Sequence, residues 1–177
     1  SGFEAALPSR VWAAARMHDC SGLGDEGVRR RCLAGGGTLH TLRLGGAFTR
    51  LGAAAASHIG ALAALAHLEL PFVALGMDGV AALRPVAAQL THLDLSAQLG
   101  AGIADGAAGL AAGLEVNTTL TEINLTGNKI GSAGWCALFH ALRNNAGNKS
   151  AAFNLFQQGL AKEAGEGGAG VGGVVSG

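Results

Sequence analysis

The chain has 177 residues, enough for one domain with a sizeable core. Hydrophobic residues make up 49 % of it and charged residues only 14 %, with twelve Lys and Arg balancing twelve Asp and Glu. Zero net charge argues against a binder of duplex nucleic acid, which needs a basic footprint, and the apolar stretches are Ala- and Gly-rich and too often interrupted by Ser, His, Gln or Arg for a membrane span of about 20 residues.

Residues 1–20 include FEAALPSRVWAAARMHDC, which favours helix apart from Pro8. Two readings stand for them, an N-terminal cap or a degenerate repeat whose strand would fall on the poorly matching AAARMH at 13–18. The opening SGFEAALPSR has neither the basic nor the apolar region of a secretory signal. Cys20, Cys32 and Cys136 are scattered and form no CxxC pair, so reduced thiols and a cytoplasmic location are expected. From Gly22, GLGDEGVRRRCLAGGGTL reads as a turn and a helix with Arg29, Arg30 and Arg31 on its wet side.

The pattern Leu-x-x-Leu-x-Leu then recurs. LHTLRL covers 39–44, LAHLEL 65–70, LTHLDL 90–95 and LTEINL 120–125, with a weaker copy, SAAFNL, at 150–155. Successive copies start 26, 25, 30 and 30 residues apart. A second signal follows each one: LGAAA from Leu51, LGMDG from Leu75, LGAGI from Leu99, IGSAG from Ile130 and LAKEA from Leu160. Side chains alternate faces along a strand, so positions four and six of each motif point into a core and positions three, five and seven point away. A helix should follow each turn, with Val80, Leu83 and Ala87 on the apolar side of one and Trp135, Leu138, Phe139 and Leu142 on that of another. Asn128, three residues past Leu125, is placed to satisfy backbone groups in its turn. One strand and one helix cannot bury their own apolar faces, whereas stacked copies cover one another. Residues 165–177, GEGGAGVGGVVSG, read as a flexible Gly-rich tail.

These motifs resemble the leucine-rich repeat family, and the long period with helices such as IGSAGWCALFHAL is similar to its ribonuclease-inhibitor-like subfamily, which includes ribonuclease inhibitor, the sensing regions of NOD-like receptors and the Ran GTPase-activating proteins. The resemblance implies an α/β fold, a solenoid bent into a horseshoe arc with short parallel strands on its concave face and helices on its convex face, and about five to six repeats over residues 21–164. The chain departs from the pattern in places. The family's Asn is kept at Asn128 but is Val73, Gln98 and Gln158 in other copies, the stretch from Ser96 to Leu120 is longer than its neighbours, and Ser150 stands where Leu is expected.

The resemblance also implies that partners dock on the concave face. Position three there holds Thr41, His67, His92 and Glu122, and position five holds Arg43, Glu69, Asp94, Asn124 and Asn154; these nine are the candidate partner-binding residues. Parallel strands lie about 4.8 Å apart, so His67 and His92 should be neighbours with Glu69, Asp94 and Glu122 close by. Three readings stay open for that cluster: a weak metal site at His67 and His92, a pH-sensitive patch, or a plain contact surface. No resident metal or cofactor is expected. On the helices, His58 and His140 are expected to be half-buried, Trp135 to pack and Cys136 to be a small core residue. The triplets starting at Asn117, Asn124 and Asn148 match the glycosylation pattern and are read as chance.

No phosphate-binding loop, nucleophile elbow or zinc-protease motif is present in the sequence. The expected function is therefore a non-catalytic protein–protein interaction module or scaffold whose partner is another protein. The alternatives are a structural subunit of a large axonemal or organellar assembly and a small-GTPase activator of the Ran GTPase-activating type, the latter carried by fold-level similarity alone.

Overall fold

The structure, a computed structural model, describes residues 14–17, 24–45, 49–98 and 106–143. Helices and strands alternate along it: β1 (Ala14–Met17), α1 (Asp25–Gly35), β2 (Thr41–Leu44), β3 (Thr49–Arg50), α2 (Ala53–Gly60), β4 (His67–Glu69), β5 (Val73–Ala74), α3 (Gly76–Ala82), α4 (Arg84–Ala87), β6 (His92–Asp94), α5 (Gly106–Leu114), β7 (Glu122–Asn124) and α6 (Ser132–Arg143). The fold is mixed α/β. Five strands form a parallel sheet in the order β1–β2–β4–β6–β7, and β3 and β5 form a second, two-stranded parallel pair beside it. A strand stands at Ala14–Met17, in the stretch for which a capping helix was one expectation, and it pairs with β2 from Ala14–Thr41 to Met17–Leu44. Residues 165–177, the copy at 150–155 and the candidate Asn154 lie outside the described residues.

The strands are short: β2 turns two side chains inward, and β4, β6 and β7 one each. The leucines of the motif do the core work: Leu39, Leu42 and Leu44, then Leu65, Leu68 and Leu70, then Leu90, Leu93 and Leu95, then Leu120, Ile123 and Leu125 are all buried. They lie in register, so that Leu42, Leu68, Leu93 and Ile123 form one row across the sheet. Burying each such side chain contributes roughly 1.5–3 kcal/mol. Helices α1, α2, α3, α5 and α6 pack one against the next, and α4 packs on α2 and α5. Ala-rich α2 (AAAASHIG) and α5 (GAAGLAAGL) present Ala55, Ala56, Ala107 and Ala111 to the core, and such small side chains let neighbouring helices come close.

Two sets of buried amides close the backbone between copies. Asn128 Nδ2 donates to the carbonyls of Leu95 (2.7 Å) and Leu125 (2.9 Å), and its Oδ1 accepts from the Gln98 backbone N–H at 3.1 Å. Gln98 repeats the arrangement one copy earlier, with Nε2 on the Leu70 carbonyl at 2.7 Å and Oε1 facing the Leu75 N–H at 3.4 Å. Asn128 thus serves its turn as the sequence implies. Gln98, at the position that Asn128 holds one copy later, reaches the preceding copy's carbonyl with a longer arm. At the strand entrances Gln89 Nε2 donates to the carbonyls of Leu62 (2.7 Å) and Leu65 (3.3 Å), and Asn117 Nδ2 donates to those of Ala87 (2.7 Å) and Leu90 (2.8 Å). A buried carbonyl that loses its amide and has no other donor, such as that of Ala87, costs about 1–3 kcal/mol.

Among the described residues no helix is long and apolar enough to cross a membrane.

Candidate interaction face

The parallel register assembles the candidate residues into two rows. In the first, Thr41, His67, His92 and Glu122 lie side by side; in the second, Arg43, Glu69, Asp94 and Asn124. Both rows project from the side of the sheet opposite the leucines, because the sequence alternates and the pleat converts alternation into two faces. Eight of the nine candidates therefore share one surface.

The rows are knitted by cross-strand contacts. Arg43 Nε donates to Glu69 Oε2, and the Glu69 carboxylate, hydrogen-bonded to Arg43, raises the guanidinium's pKa. His67 and His92 stack with ring centroids 5.7 Å apart and planes 20° from parallel. His92 Nδ1 lies 3.1 Å from Glu122 Oε2, and its Nε2 3.7 Å from Glu69 Oε1. Asn124 Nδ2 donates to Asp94 Oδ2 at 3.1 Å, while Asp94 Oδ1 accepts the Ser96 N–H at 2.8 Å. Asn124 Oδ1 in turn accepts from the Thr126 N–H and hydroxyl at 3.1 and 2.7 Å. Each carboxylate or amide holds a neighbour from the next strand, so the surface is pre-shaped rather than a set of free side chains. Exposed ion pairs of this sort contribute little to stability, about 0–1 kcal/mol. Their main effect is to fix side-chain orientation.

His67 and His92 are neighbours, as strand spacing requires, but they meet face to face. Among the described residues no group of three or more His, Cys, Asp or Glu side chains is arranged to hold a metal ion. Of the charged side chains in the two rows, Glu69, Asp94 and Glu122 are acidic and Arg43 is basic, and the second row continues to Arg16 on β1, in register with Arg43.

The helical side differs from the sequence expectations at two places. Cys136 is exposed rather than in the core, and His140 is exposed rather than half-buried. Both sit on the outer side of α6, whose inner positions are taken by Gly134, Leu138, Ala141 and Leu142. Trp135 is half-buried and stacks on Phe139, 5.8 Å between centroids. Asn117, first noticed as part of a chance triplet, is fully buried. The signal that would have found Gln89 and Asn117 is an amide residue just ahead of a strand's leucines. A hollow of about 310 Å³ beside α5 and α6 is lined by five alanines with Glu115 and His140.

No protein-family model matches the chain, and no curated protein matches it.

Proposed function

We propose that the chain is a leucine-rich-repeat solenoid of the ribonuclease-inhibitor-like kind. On this reading it works as a non-catalytic interaction module that docks another protein on its strand-lined, concave face. The observation that carries the reading is the strict register of equivalent positions. Residues 25 to 30 apart in sequence stand side by side on consecutive strands. Copies that align in this way spread eight polar side chains over a continuous surface, which suits the recognition of another macromolecule better than the enclosure of a small substrate. The buried amides that tie one copy to the next hold that surface rigid, which lowers the entropic cost of binding.

The test is a charge reversal on the face. Wild-type protein, Glu69→Lys and Asp94→Lys are each immobilised and used to capture partners from an extract of the source organism, with the captured proteins quantified by mass spectrometry. A protein retained by wild type and depleted at least tenfold on both variants supports the docking face, provided the variants melt within a few degrees of wild type. Capture indifferent to both substitutions would remove it.

A further inference from the structure

We propose that Phe72 is an aromatic anchor at the exit end of the polar face, and that the partner segment it receives is basic and carries an apolar side chain. The inference rests on the docking reading above and narrows it to one chemistry.

The first observation is a residue kept in an unfavourable backbone. Two positions past the last core leucine after β4, β6 and β7 the chain turns, at Phe72, Ala97 and Gly127, with φ of 58°, 50° and 71°. Glycine enters this left-handed region freely, whereas an L side chain is strained there and a bulky one is a rare occupant. The turn itself is the same device each time. The Phe72 N–H donates to the Ser96 carbonyl at 3.1 Å, and the Ala97 N–H to the Thr126 carbonyl at 2.8 Å. Nothing in that geometry asks for a ring.

Nor does the ring gain burial. Phe72 is 54 % exposed, while Leu70 and Val73 on either side of it are fully buried. Core packing does not account for a largely exposed aromatic on a strained, hydrogen-bonded turn, and the strain points to a use outside the fold. Aromatic side chains are prominent binding anchors because they present a large area at low rotamer cost.

The second observation is charge. Phe72 follows Glu69 by three residues on the same strand and turn, and Glu69 pairs in register with Asp94. Arg43 is committed to Glu69. Asp94 is held by two neutral donors, the Ser96 N–H and the Asn124 amide, and Glu122 is largely exposed. Across β2 to β7 the two rows carry three acids against one Arg, with Arg16 on β1 in register with Arg43 at the far edge. A cationic segment complements that surface, and its Lys or Arg can also lie over the Phe72 ring.

The experiment is selection of a phage-displayed random dodecapeptide library on the immobilised full chain. Enriched peptides are then synthesised and titrated by fluorescence anisotropy against wild type, Phe72→Gly, Phe72→Trp and Asp94→Lys. The expected result is enrichment of peptides with net positive charge and at least one large apolar residue. Affinity should fall tenfold or more in Phe72→Gly and persist in Phe72→Trp. The thermal midpoint of Phe72→Gly should equal or exceed wild type, since the glycine relieves the turn. A ring that merely packed would lower it, and that result overturns the proposal. So do an empty selection, neutral or acidic winners, and equal affinity in Phe72→Gly. Peptides lost on Asp94→Lys but kept on Phe72→Gly remove the anchor and leave the docking face; peptides kept on both remove the face as well.

Discussion

At the scale of the residue, the side chains that matter most for folding are polar. Asn117 is fully buried and makes four backbone hydrogen bonds: two donated to the carbonyls of Ala87 and Leu90, and two accepted from the N–H groups of Thr119 and Leu120. Replacing it with alanine strands three of these groups, the Leu90 carbonyl keeping the Thr119 hydroxyl at 3.1 Å, and since each unmade buried bond costs about 1–3 kcal/mol, with relaxation recovering part, Asn117→Ala should lose roughly 2–4 kcal/mol in urea unfolding. Asn117→Asp should be nearly as damaging, because a carboxylate cannot donate to two carbonyls. A loss under 1 kcal/mol for either would mean the amide is not structural. The cysteines give a second check. Cys32 is buried on α1, and that burial pushes its thiol from an ordinary 9.0 up to about 11. A raised value favours the protonated form in the folded state, so its contribution to stability is whole below pH 9 and is lost as pH rises through 11. Cys136 is exposed. Under iodoacetamide at pH 8, peptide mapping should find Cys136 alkylated well before Cys32; equal rates would contradict the placement of both.

At the scale of the element, small residues set how closely the helices approach. Gly113 on α5 has no room for a side chain: a Cβ there would lie 2.5 Å from the Arg84 carbonyl oxygen and 2.9 Å from Ala87 Cβ. Gly60 on α2 is as tight, with a Cβ placed 2.5 Å from the Ala82 carbonyl oxygen. Alanine is better than glycine in a helix by about 1 kcal/mol, but overpacking costs about 1–3 kcal/mol, and here the obstacle is backbone that cannot rotate away. Gly113→Ala and Gly60→Ala should therefore each lower the thermal midpoint, whereas Gly131→Ala, with open space around it, should stay within about 0.5 kcal/mol of wild type. If Gly113→Ala stabilised the protein, the close approach of α4 and α5 would be wrong. What the sequence revealed at this scale follows the same physics. Motif leucines were legible because a period of two along each strand and 25 to 30 between strands leaves no other face for them. Equal spacing likewise brought His67 and His92 together. How their rings meet was not legible, since a strand repeat fixes Cα positions and leaves side-chain torsions to neighbours. Gln98 was read as a departure because a pattern of residue types does not show that a longer amide reaches the same carbonyl. Cys136 was placed inside because α6 is apolar on more than one side, and only the packing against α5 shows which positions turn inward.

At the scale of the whole molecule, the leucines of successive strands share one buried cluster, so each strand's burial depends on its neighbours. Leu93 shows this dependence, lying between Leu68 and Ile123 in the middle of the leucine row and fully buried. Truncating it removes contacts with the copies on both sides and leaves a cavity, so Leu93→Ala should cost about 2–5 kcal/mol. The location of that loss is the informative part. In a stack whose units are stable only through shared interfaces, a weakened central interface lowers the stability of elements far from it. Trp135 on α6 reports on one end of the described sheet and helices, and far-ultraviolet circular dichroism reports on all the helices. In a Trp12→Phe background, where Trp135 is the remaining tryptophan, the fluorescence and dichroism transitions of Leu93→Ala should shift together to lower urea. If the Trp135 midpoint held while dichroism moved, α6 and β7 would fold apart from the strands before them, and the rows that make up the polar face would not be a single rigid surface.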